Sequence, residues 1–471
     1  MKFDTVIIGG GLSGLTAGIE LARQNRRVAI ISAGQSSMHF CSGSFELLGY
    51  GADGAPVSDP LAAIAKLGDT HPYSRIGRDN IAPLARRAAS LLSDAGVVAT
   101  GTPERNHWRL TPVGETKPAC LTLEDYISSE TPDSFGFKSA AIVNLRGFLD
   151  FFPGFLADAL SRRGVTTRQA TVTVRVLDVQ RTSSTEMRAP NIARVVHGDV
   201  VSELAEKVNL VCGDAETVLF PAVLGFADAE AARTMRSLVK RPLRYVATMG
   251  ASVPGIRTQM ALLNRFRSLG GHILAGDRVI GADFDGDRLR AIHTANLGAD
   301  AVVADDFIFA AGSFFSHGLA SNMQGAYEPA LGLDVDAPAD RLGWFDKNAF
   351  ARQPFMKYGV ATGHDLRARR GGRDIANLRV IGSSLPGADS LREGSGAGVA
   401  MLSALRAADL LFISPPTHAA SQHKRQQLRA VYEVHNLHRL LPGDRRQPNL
   451  SRSEAGRSRR RTLSSEERRI L

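Results

Sequence analysis

The stretch FDTVIIGGGLSGLTAG, Phe3–Gly18, decides the fold of this chain. It opens on a mostly apolar run rich in Val and Ile, which is typical of a strand buried in a parallel sheet. The G-x-G-x-x-G spacing of Gly9, Gly11 and Gly14 follows at once, and then come a helical pattern and a second strand, Val28–Ile31. This β-α-β setting predicts that a nucleotide phosphate binds at the helix N-terminus.

Each glycine of the motif has a predicted role. Gly9 permits the tight turn, Gly11 lets the backbone approach a phosphate, and Gly14 lets the helix pack close to the strand. About 20 residues further on, a dinucleotide fold usually carries Asp or Glu to hold the adenosine ribose, and this place falls at Ser32. Either the ribose is held in another way, or the ligand has no adenosine half.

A polar loop, Gln35–Ser44, follows the second strand and carries hydroxyl, thiol and imidazole groups. In flavoproteins the loop at this position reaches the flavin or its phosphate, so Ser42 and Ser44 are predicted cofactor contacts. The alternative is a plain polar loop without a ligand. Cys41 is a candidate reactive thiol, although a lone buried cysteine is more often inert.

Two glycines at predicted strand ends extend the site. A buried strand at Phe307–Ala310, after a separate short strand at Ala301–Val303, runs into Gly312, and a later apolar run ends at Gly382. Small residues at such strand ends let the chain pass a flavin. A helix over 259–269, after a turn at 253–255, is expected to precede these strands.

A last glycine-rich stretch, Glu393–Gly398, is predicted to open a helix that reaches about Ala408. Its N–H groups and its dipole would face the flavin N1/C2=O edge, where negative charge appears on reduction. Gly394, Ser395 and Gly396 are therefore predicted cofactor contacts. The alternative is a glycine-rich helix start that serves packing alone.

The fold class expected from these motifs is α/β, a flavoprotein-type Rossmann-like dinucleotide-binding fold with a long inserted cap or substrate domain. We expect the flavin-binding domain at 1–50 and 241–411, the mixed α/β insert at 51–240, and a basic, disordered tail at 412–471.

Composition excludes several classes of protein. The net charge of +10 comes largely from the tail, since 13 of the 57 basic residues but only five of the 47 acidic residues lie between Ile413 and Leu471. The nearly neutral remainder argues against a nucleic-acid partner. The three cysteines form no C-x-x-C, which argues against an iron–sulfur cluster or a disulfide framework. We expect no signal peptide, and no apolar run approaches the roughly 18 residues of a membrane span.

The chain resembles the B-type subunit of bacterial anaerobic glycerol-3-phosphate dehydrogenase over about residues 1–411. Besides the two glycine-rich motifs, the matching stretches are GQSSMHFCSGSFELL, HPYS at 71–74, SVPGIRTQ at 252–259, AAGSFFSHGL at 310–319 and EPALGLDV at 328–335. The resemblance implies FMN as the cofactor and oxidation of sn-glycerol 3-phosphate to dihydroxyacetone phosphate, with electrons passing to a quinone. It implies a larger catalytic flavoprotein subunit and an iron–sulfur subunit that anchors the complex at the cytoplasmic face of the inner membrane.

Other interpretations stay open from the sequence. The chain could be an electron-relay or assembly subunit without its own substrate site, a stand-alone FAD-dependent dehydrogenase or oxidase, or, less favoured, a nicotinamide dehydrogenase. The catalytic residues are unknown. Candidate phosphate ligands are Arg257, Arg265 and Arg367, and candidate bases are His39, His71 and His317.

Two interpretations of the tail are disorder and binding of nucleic acid or anionic lipid. A third hypothesis concerns its coding sequence. Back-translated and read one base later, Val431–Pro442 permits CMKCTTCTAYCP, a ferredoxin-type cluster motif. The tail would then be the opening of an iron–sulfur subunit gene translated out of frame. Sequencing the DNA tests this, and bases that cannot encode those cysteines refute it.

Overall fold

The computed structural model describes residues 1–183 and 185–413. Val431–Pro442 and the rest of the predicted tail lie outside the described residues. Met1–Ile413 form one compact unit, and the domain limits expected from the sequence stay a prediction.

The helices and strands are as follows. The α-helices are α1 Leu12–Arg23, α2 Pro60–Ile64, α3 Pro72–Ile76, α4 Ile81–Asp94, α5 Pro153–Ser161, α6 Arg175–Gln180, α7 Ala189–Val195, α8 Asp199–Val211, α9 Glu230–Leu238, α10 Val253–Ser268, α11 Ser390–Glu393 and α12 Gly396–Ile413. The strands are β1 Lys2–Ile8, β2 Val28–Ser32, β3 Ser44–Phe45, β4 Ala99–Gly101, β5 His107–Leu110, β6 Thr116–Ala119, β7 Leu121–Leu123, β8 Ser128–Ser129, β9 Ser139–Leu145, β10 Thr166–Val172, β11 Thr217–Pro221, β12 Leu243–Val246, β13 His272–Ala275, β14 Val279–Asp285, β15 Arg288–Thr294, β16 Val302–Phe309, β17 Ala320–Ser321, β18 Ala326–Tyr327, β19 Val335–Asp336, β20 Gly359–Val360, β21 Arg367–Arg370 and β22 Arg373–Val380.

The main sheet has eight strands in the order β13-β2-β1-β16-β15-β14, with β22 pairing to β16 and β21 pairing to β22. Strands β13, β2, β1, β16 and β22 run parallel. Their register aligns Ile31, Ile8, Phe309 and Val380 in one row at the carboxyl edge. This edge is where an open parallel sheet binds its ligand. The sheet confirms the predicted α/β fold.

Close packing of α1 on this sheet depends on small residues. A Cβ at Gly14 would lie 2.0 Å from the carbonyl oxygen of Gly9, and a Cβ at Gly18 would lie 2.9 Å from Ile30 Cδ1. The strand beneath is fully buried at Val6 and Ile7. Helix α1 also contacts α10 and α12, so strand β1 and helix α1 lie at the centre of the core.

The middle of the chain contributes its own sheets. Strands β10-β9-β11-β12 form a parallel sheet over 139–246, which extends past the predicted limit at 240. Strands β3-β7-β4 and β6-β5-β8 form two small antiparallel sheets. Because β3 lies in the loop after β2, its pairing with β7 ties that loop to the middle of the chain.

Two local predictions are wrong at the start of α10 and in β16. The predicted turn at 253–255 is the first turn of α10, where Ser252 caps the helix by accepting a hydrogen bond from the Gly255 N–H. Pro254 is tolerated there because N–H groups in the first turn of a helix have no carbonyl acceptor within the helix, so the N–H that proline lacks costs no hydrogen bond. The two short strands expected at 301–303 and 307–310 are one strand, β16, whose Asp306 pairs with Arg26 at 2.6 Å.

The last helix also differs from its expected limit. It begins at Gly396, inside the predicted glycine-rich start, but continues to Ile413 rather than ending near Ala408. The further residues Leu410 and Leu411 are buried, so the apolar face of the helix runs one turn longer than expected.

Candidate functional site

The glycine turn between β1 and α1 leaves open space beside one residue only. Gly9 has φ +117°, and a Cβ there would lie 2.2 Å from the carbonyl oxygen of Ala310. Gly14 is equally closed, since its Cβ would meet the carbonyl of Gly9. At Gly11, by contrast, the only described atom within 4 Å of an added Cβ is Ser36 Cβ, at 3.7 Å. Protein packing therefore requires Gly9 and Gly14, whereas the backbone at Gly11 is open to a ligand.

Of the two predicted glycines, Gly312 joins the end of β16 to the end of β22, and Gly382 joins the end of β22 to helices α1 and α12. The Gly312 N–H donates to Ser384 Oγ at 2.8 Å, and that hydroxyl donates to the Gly312 carbonyl at 3.1 Å. The Gly382 N–H donates to Ser403 Oγ at 2.8 Å. A Cβ at Gly382 would lie 2.5 Å from Ser13 Oγ of α1. Both N–H groups are thus already bonded, and these glycines serve close approach.

Ser32 stands at the end of β2, beside the glycine turn. Its hydroxyl donates to the carbonyl of Gly34 at 3.2 Å, and a Cβ at Gly10 would lie 2.7 Å from its Oγ. The buried acid Asp277 is close in space, because its N–H donates to the Ser32 carbonyl at 3.2 Å. However, its carboxylate accepts the backbone N–H groups of Arg278 and Asn296. This acid therefore holds a loop of the protein.

Gln259 of α10 connects the glycine turn with the polar loop. Its Nε2 donates to the Gly10 carbonyl at 3.4 Å, and its Oε1 accepts the hydroxyl of Ser36 at 2.9 Å. Burial lowers the pKa of His39, while a hydrogen bond with Gln259 acts in the other direction. Sequence reasoning missed Gln259, because nothing in its own helix indicates contact with a turn about 250 residues earlier.

The stretch that follows the polar loop lies against the start of α12. The Gly49 N–H donates to the Glu393 carbonyl at 2.8 Å, and the Gly398 N–H donates to the Glu46 carbonyl at 2.9 Å. A Cβ at Gly398 would lie 2.2 Å from the hydroxyl of Tyr73. The residues just after the polar loop are therefore held against the glycine-rich helix start.

The start of α12 is shaped by a left-handed turn and a buried acid. Gly394 has φ +57°, and Gly396 is the first helical residue. The fully buried Ser395 donates its hydroxyl to Glu393 Oε2 at 3.1 Å. Gly394, Ser395 and Gly396 stay predictions as cofactor contacts, and among them the side chain of Ser395 is already engaged with the protein.

His71 forms a buried pair with Glu393. Its Nδ1 accepts the Tyr73 N–H at 3.2 Å, so the proton resides on Nε2, which lies 3.1 Å from Glu393 Oε2. Burial raises the pKa of Glu393, but its hydrogen bonds with His71, the Asp389 N–H and the Ser395 hydroxyl outweigh this and lower it. Both ring nitrogens are used, so His71 positions the start of α12 and is not free to accept a substrate proton.

A second buried acid organises Ser42 and Ser44. Ser44 donates its hydroxyl to Glu46 Oε1 at 2.6 Å, and Lys117 Nζ lies 3.3 Å from the same oxygen. Arg109 donates to Ser42 Oγ and lies 3.9 Å from Glu46. Burial raises the pKa of Glu46, and the charges of Lys117 and Arg109 more than reverse this, so the carboxylate stays ionised.

The other candidate residues lie elsewhere. Arg257 donates to the carbonyls of Leu224 and Gly225. Together with Arg233 and Arg265 it lines a cleft of about 470 Å³ in which four acidic residues outnumber the three arginines, which disfavours a phosphate; the acidic residues are Asp94, Glu124, Asp125 and Asp228. Arg367 stands opposite Arg379 in the β21–β22 pair, and His317 is exposed.

The site fits a flavin nucleotide. Two helix N-termini, those of α1 and α12, lie at the carboxyl edge of a parallel sheet, and the open backbone at Gly11 stands before the first of them. Gly382 lies between them, since its Cβ would contact Ser13 and reach within 4.0 Å of the Ala400 Cα. This arrangement is the one expected of a flavoprotein.

Comparison with known proteins agrees with a flavin-binding fold. Residues 4–399 match the family described as FAD binding domain. The B-type subunit of the anaerobic glycerol-3-phosphate dehydrogenase of Yersinia enterocolitica is 40% identical over 414 residues, 87% of this chain and 98% of the relative. The corresponding protein of Pectobacterium carotovorum is 38% identical over 413 residues, again 87% and 98%. The chain belongs to the FAD binding domain family, among the relatives named as the B-type subunit of anaerobic glycerol-3-phosphate dehydrogenase.

Solved structures are more distant. That of 3-ketosteroid delta1-dehydrogenase from Sterolibacterium denitrificans covers 87% of this chain and 99% of its own, with 10% identity and a TM-score of 0.39, and supports no functional inference. Within residues 1–183 and 185–413, no helix combines the length and the apolar character of a membrane span.

Proposed function

We propose that this chain is the FMN-binding subunit of an anaerobic glycerol-3-phosphate dehydrogenase. It would oxidise sn-glycerol 3-phosphate to dihydroxyacetone phosphate and pass the electrons to a quinone. The observation that carries the proposal is the paired helix-start site in a chain aligned over 98% of a relative with that name. When bound, a flavin supplies the acceptor for the hydride of the C2 alcohol.

The chain's own residues would act by binding and orientation. Backbone N–H groups from Gly11 onward would hold the cofactor phosphate at the positive end of α1. The start of α12, kept in place by the His71–Glu393 pair, would direct N–H groups at the pyrimidine edge of the flavin and stabilise the charge that appears on reduction.

FMN is preferred to FAD because of the end of β2. A serine stands where an adenosine ribose would need a carboxylate, and the carboxylate of Asp277 is bonded to backbone N–H groups. To test this, the holoprotein is denatured and the released flavin is separated by chromatography. FMN at one equivalent per chain is expected, and FAD would refute the preference.

Partner subunits are the second part of the proposal. The three cysteines of this sequence form no cluster motif, so an iron–sulfur relay between the flavin and the quinone would have to come from another chain. We propose a larger catalytic flavoprotein subunit and an iron–sulfur subunit that attaches the complex to the cytoplasmic face of the inner membrane. Affinity purification of the tagged chain from cells grown anaerobically on glycerol should recover two further chains and iron. Recovery of the chain alone, with flavin but no iron, would contradict it.

A second candidate function is electron relay without substrate oxidation here. It is favoured by the state of two of the three candidate bases, since His71 has both nitrogens engaged and His317 is exposed. The test mixes the flavin-loaded chain with glycerol 3-phosphate under anaerobic conditions. Bleaching of the flavin absorbance supports oxidation by this chain, whereas bleaching by dithionite alone supports the relay.

A further inference from the structure

Arg109 of β5 is a buried cation that the described protein does not fully satisfy. Its side chain is 3% exposed, and its Nη2 donates to Ser42 Oγ. Its Nε and Nη1 are buried and have no hydrogen-bond partner among the described residues. Buried polar groups in native proteins are rarely left unpaired, so two free guanidinium donors need a physical reason.

The charges around Arg109 do not balance. Glu46 is the one carboxylate in contact among the described residues, and it is shared with Lys117, which leaves one positive charge in excess. The titratable neighbours do not supply a second anion: burial raises the pKa of Cys41 and of Tyr126, and burial lowers the pKa of His107. A buried uncompensated charge is costly, and a bound anion would offset it.

A second free donor approaches the same turn. The hydroxyl of Tyr126 is buried without a partner in the described part of the chain, and its ring packs on Gly43, where a Cβ would lie 2.6 Å from Tyr126 Cζ. Arg109 contacts the preceding residue, Ser42. A free Nε–H or Nη1–H of the guanidinium, next to the second N–H of Nη2, can donate to oxygens of a phosphate, and a phenol O–H can donate to a further oxygen.

The position of this group separates it from the site assigned to the cofactor phosphate. The cofactor phosphate is assigned to the start of α1, and the flavin pyrimidine edge to the start of α12. The loop that carries Ser42 touches α12 through Glu46 and Gly398, so Arg109 lies beside the flavin end of the site. Ser42, which accepts from Arg109, and Lys117, which shares Glu46 with it, are partly exposed.

We propose that Arg109, assisted by Tyr126, binds the phosphate group of the substrate. This rests on the proposed function, because it assumes a phosphorylated substrate beside the flavin. The free donors, the excess charge and the shared turn Ser42–Ser44 are the observations that carry it.

The test uses the flavin-loaded protein and measures binding of glycerol 3-phosphate and of inorganic phosphate by calorimetry. Arg109→Met should bind both ligands about 30- to 100-fold more weakly, and Tyr126→Phe about tenfold, because hydrogen bonds to a charged group are lost. Arg109→Lys keeps the charge but not the planar set of guanidinium N–H donors, so an intermediate loss of affinity is expected. Arg86→Met, which removes an exposed ion pair with Glu104, is the control.

Two further measurements discriminate between outcomes. Without ligand, Arg109→Met should melt no lower than the wild type, since it removes the excess buried charge, and phosphate should raise the melting temperature of the wild type and of Arg86→Met but not of Arg109→Met. Flavin content should stay at one per chain. Wild-type affinity in Arg109→Met and in Arg109→Lys would overturn the proposal, and so would loss of flavin instead of phosphate. Arg109-dependent binding of inorganic phosphate without binding of glycerol 3-phosphate would uphold the anion site and refute the proposed substrate.

Discussion

Alanine substitutions at Gly11 and Gly14 should separate cofactor binding from packing. At Gly14 the new methyl would lie 2.0 Å from the Gly9 carbonyl oxygen, and Cβ contacts below 3.0 Å are essentially never seen, so α1 must move away from β1 by about 1 Å. Overpacking of this kind costs about 1–3 kcal/mol in the free energy of unfolding.

At Gly11 the structure predicts the opposite outcome. Its φ of −81° suits any residue, and the new methyl has ordinary contact with Ser36. Because Gly11 is the N-cap of α1, Ala costs only about 0.5–1 kcal/mol of stability. The methyl would occupy the space of the cofactor phosphate, and one lost hydrogen bond to a charged group is worth about 1.5–3 kcal/mol, or roughly 10- to 150-fold in Kd.

The assay measures both quantities on the apoprotein. Quenching of flavin fluorescence gives the Kd for the flavin, and urea unfolding gives the stability. Gly34→Ala is the matched control, since no described atom lies within 4 Å of its Cβ. If Gly11→Ala binds flavin within about threefold of the Gly34→Ala control, well below the predicted change, the phosphate does not lie over Gly11. A Gly14→Ala protein as stable as the control would refute the packing argument.

Three further predictions follow from buried groups. Ser384→Ala should cost about 1–3 kcal/mol in urea unfolding, because the buried N–H of Gly312 loses its acceptor; the exposed Ser383→Ala is its control. The pKa of Glu393 is lowered in the folded protein, so its ionised carboxylate stabilises the fold above the ordinary pKa of 4.5. This stabilisation is lost as pH falls through the lowered pKa. Glu393→Gln should therefore be less stable than the wild type at neutral pH, and its melting temperature should fall less on acidification. Burial raises the pKa of Cys120 to about 12, so its thiol should react with a disulfide reagent at mildly alkaline pH only after urea unfolding.

Each of these has a contradicting result. An unchanged urea midpoint for Ser384→Ala would mean that Gly312 finds another acceptor. An acid melting profile of Glu393→Gln parallel to that of the wild type would show that this carboxylate carries no pH-dependent stability. Rapid modification of Cys120 in the native protein would show that the pocket around it opens.

The sequence predicts the features that depend on local patterns. The spacing of Gly9, Gly11 and Gly14, next to apolar runs with strand character, predicted the β1–α1–β2 unit that the structure contains. The predicted strand limits were wrong in β16, because its acidic residues indicated a break between two strands. In the structure Asp306 is neutralised by Arg26, which lies just before β2. From sequence alone, a charged residue indicates the end of a strand, because the oppositely charged residue that pairs with it cannot be identified.

Features that join distant parts of the chain could not be predicted. His71 and Glu393 are 322 residues apart, and neither stands in a motif that indicates the other. Likewise, Arg109 comes from a strand in a stretch without any recognisable pattern, and only the fold brings it to Ser42. Candidate residues chosen by type alone, such as Arg257, bind backbone carbonyls instead.

The loop after β2 is the physical link between the cofactor and the middle of the chain. On one side its Gly49 and Glu46 bond to the start of α12, and on the other its Phe45 pairs with Leu121 of β7. A segment held on both sides cannot shift toward one without straining the other. An anion bound at Arg109 would therefore act on the loop that touches α12, and substrate binding and flavin chemistry would be coupled through this loop. Gly11 lies outside this segment, at the other end of the site, so its substitution should weaken flavin binding without changing the affinity for phosphate at Arg109.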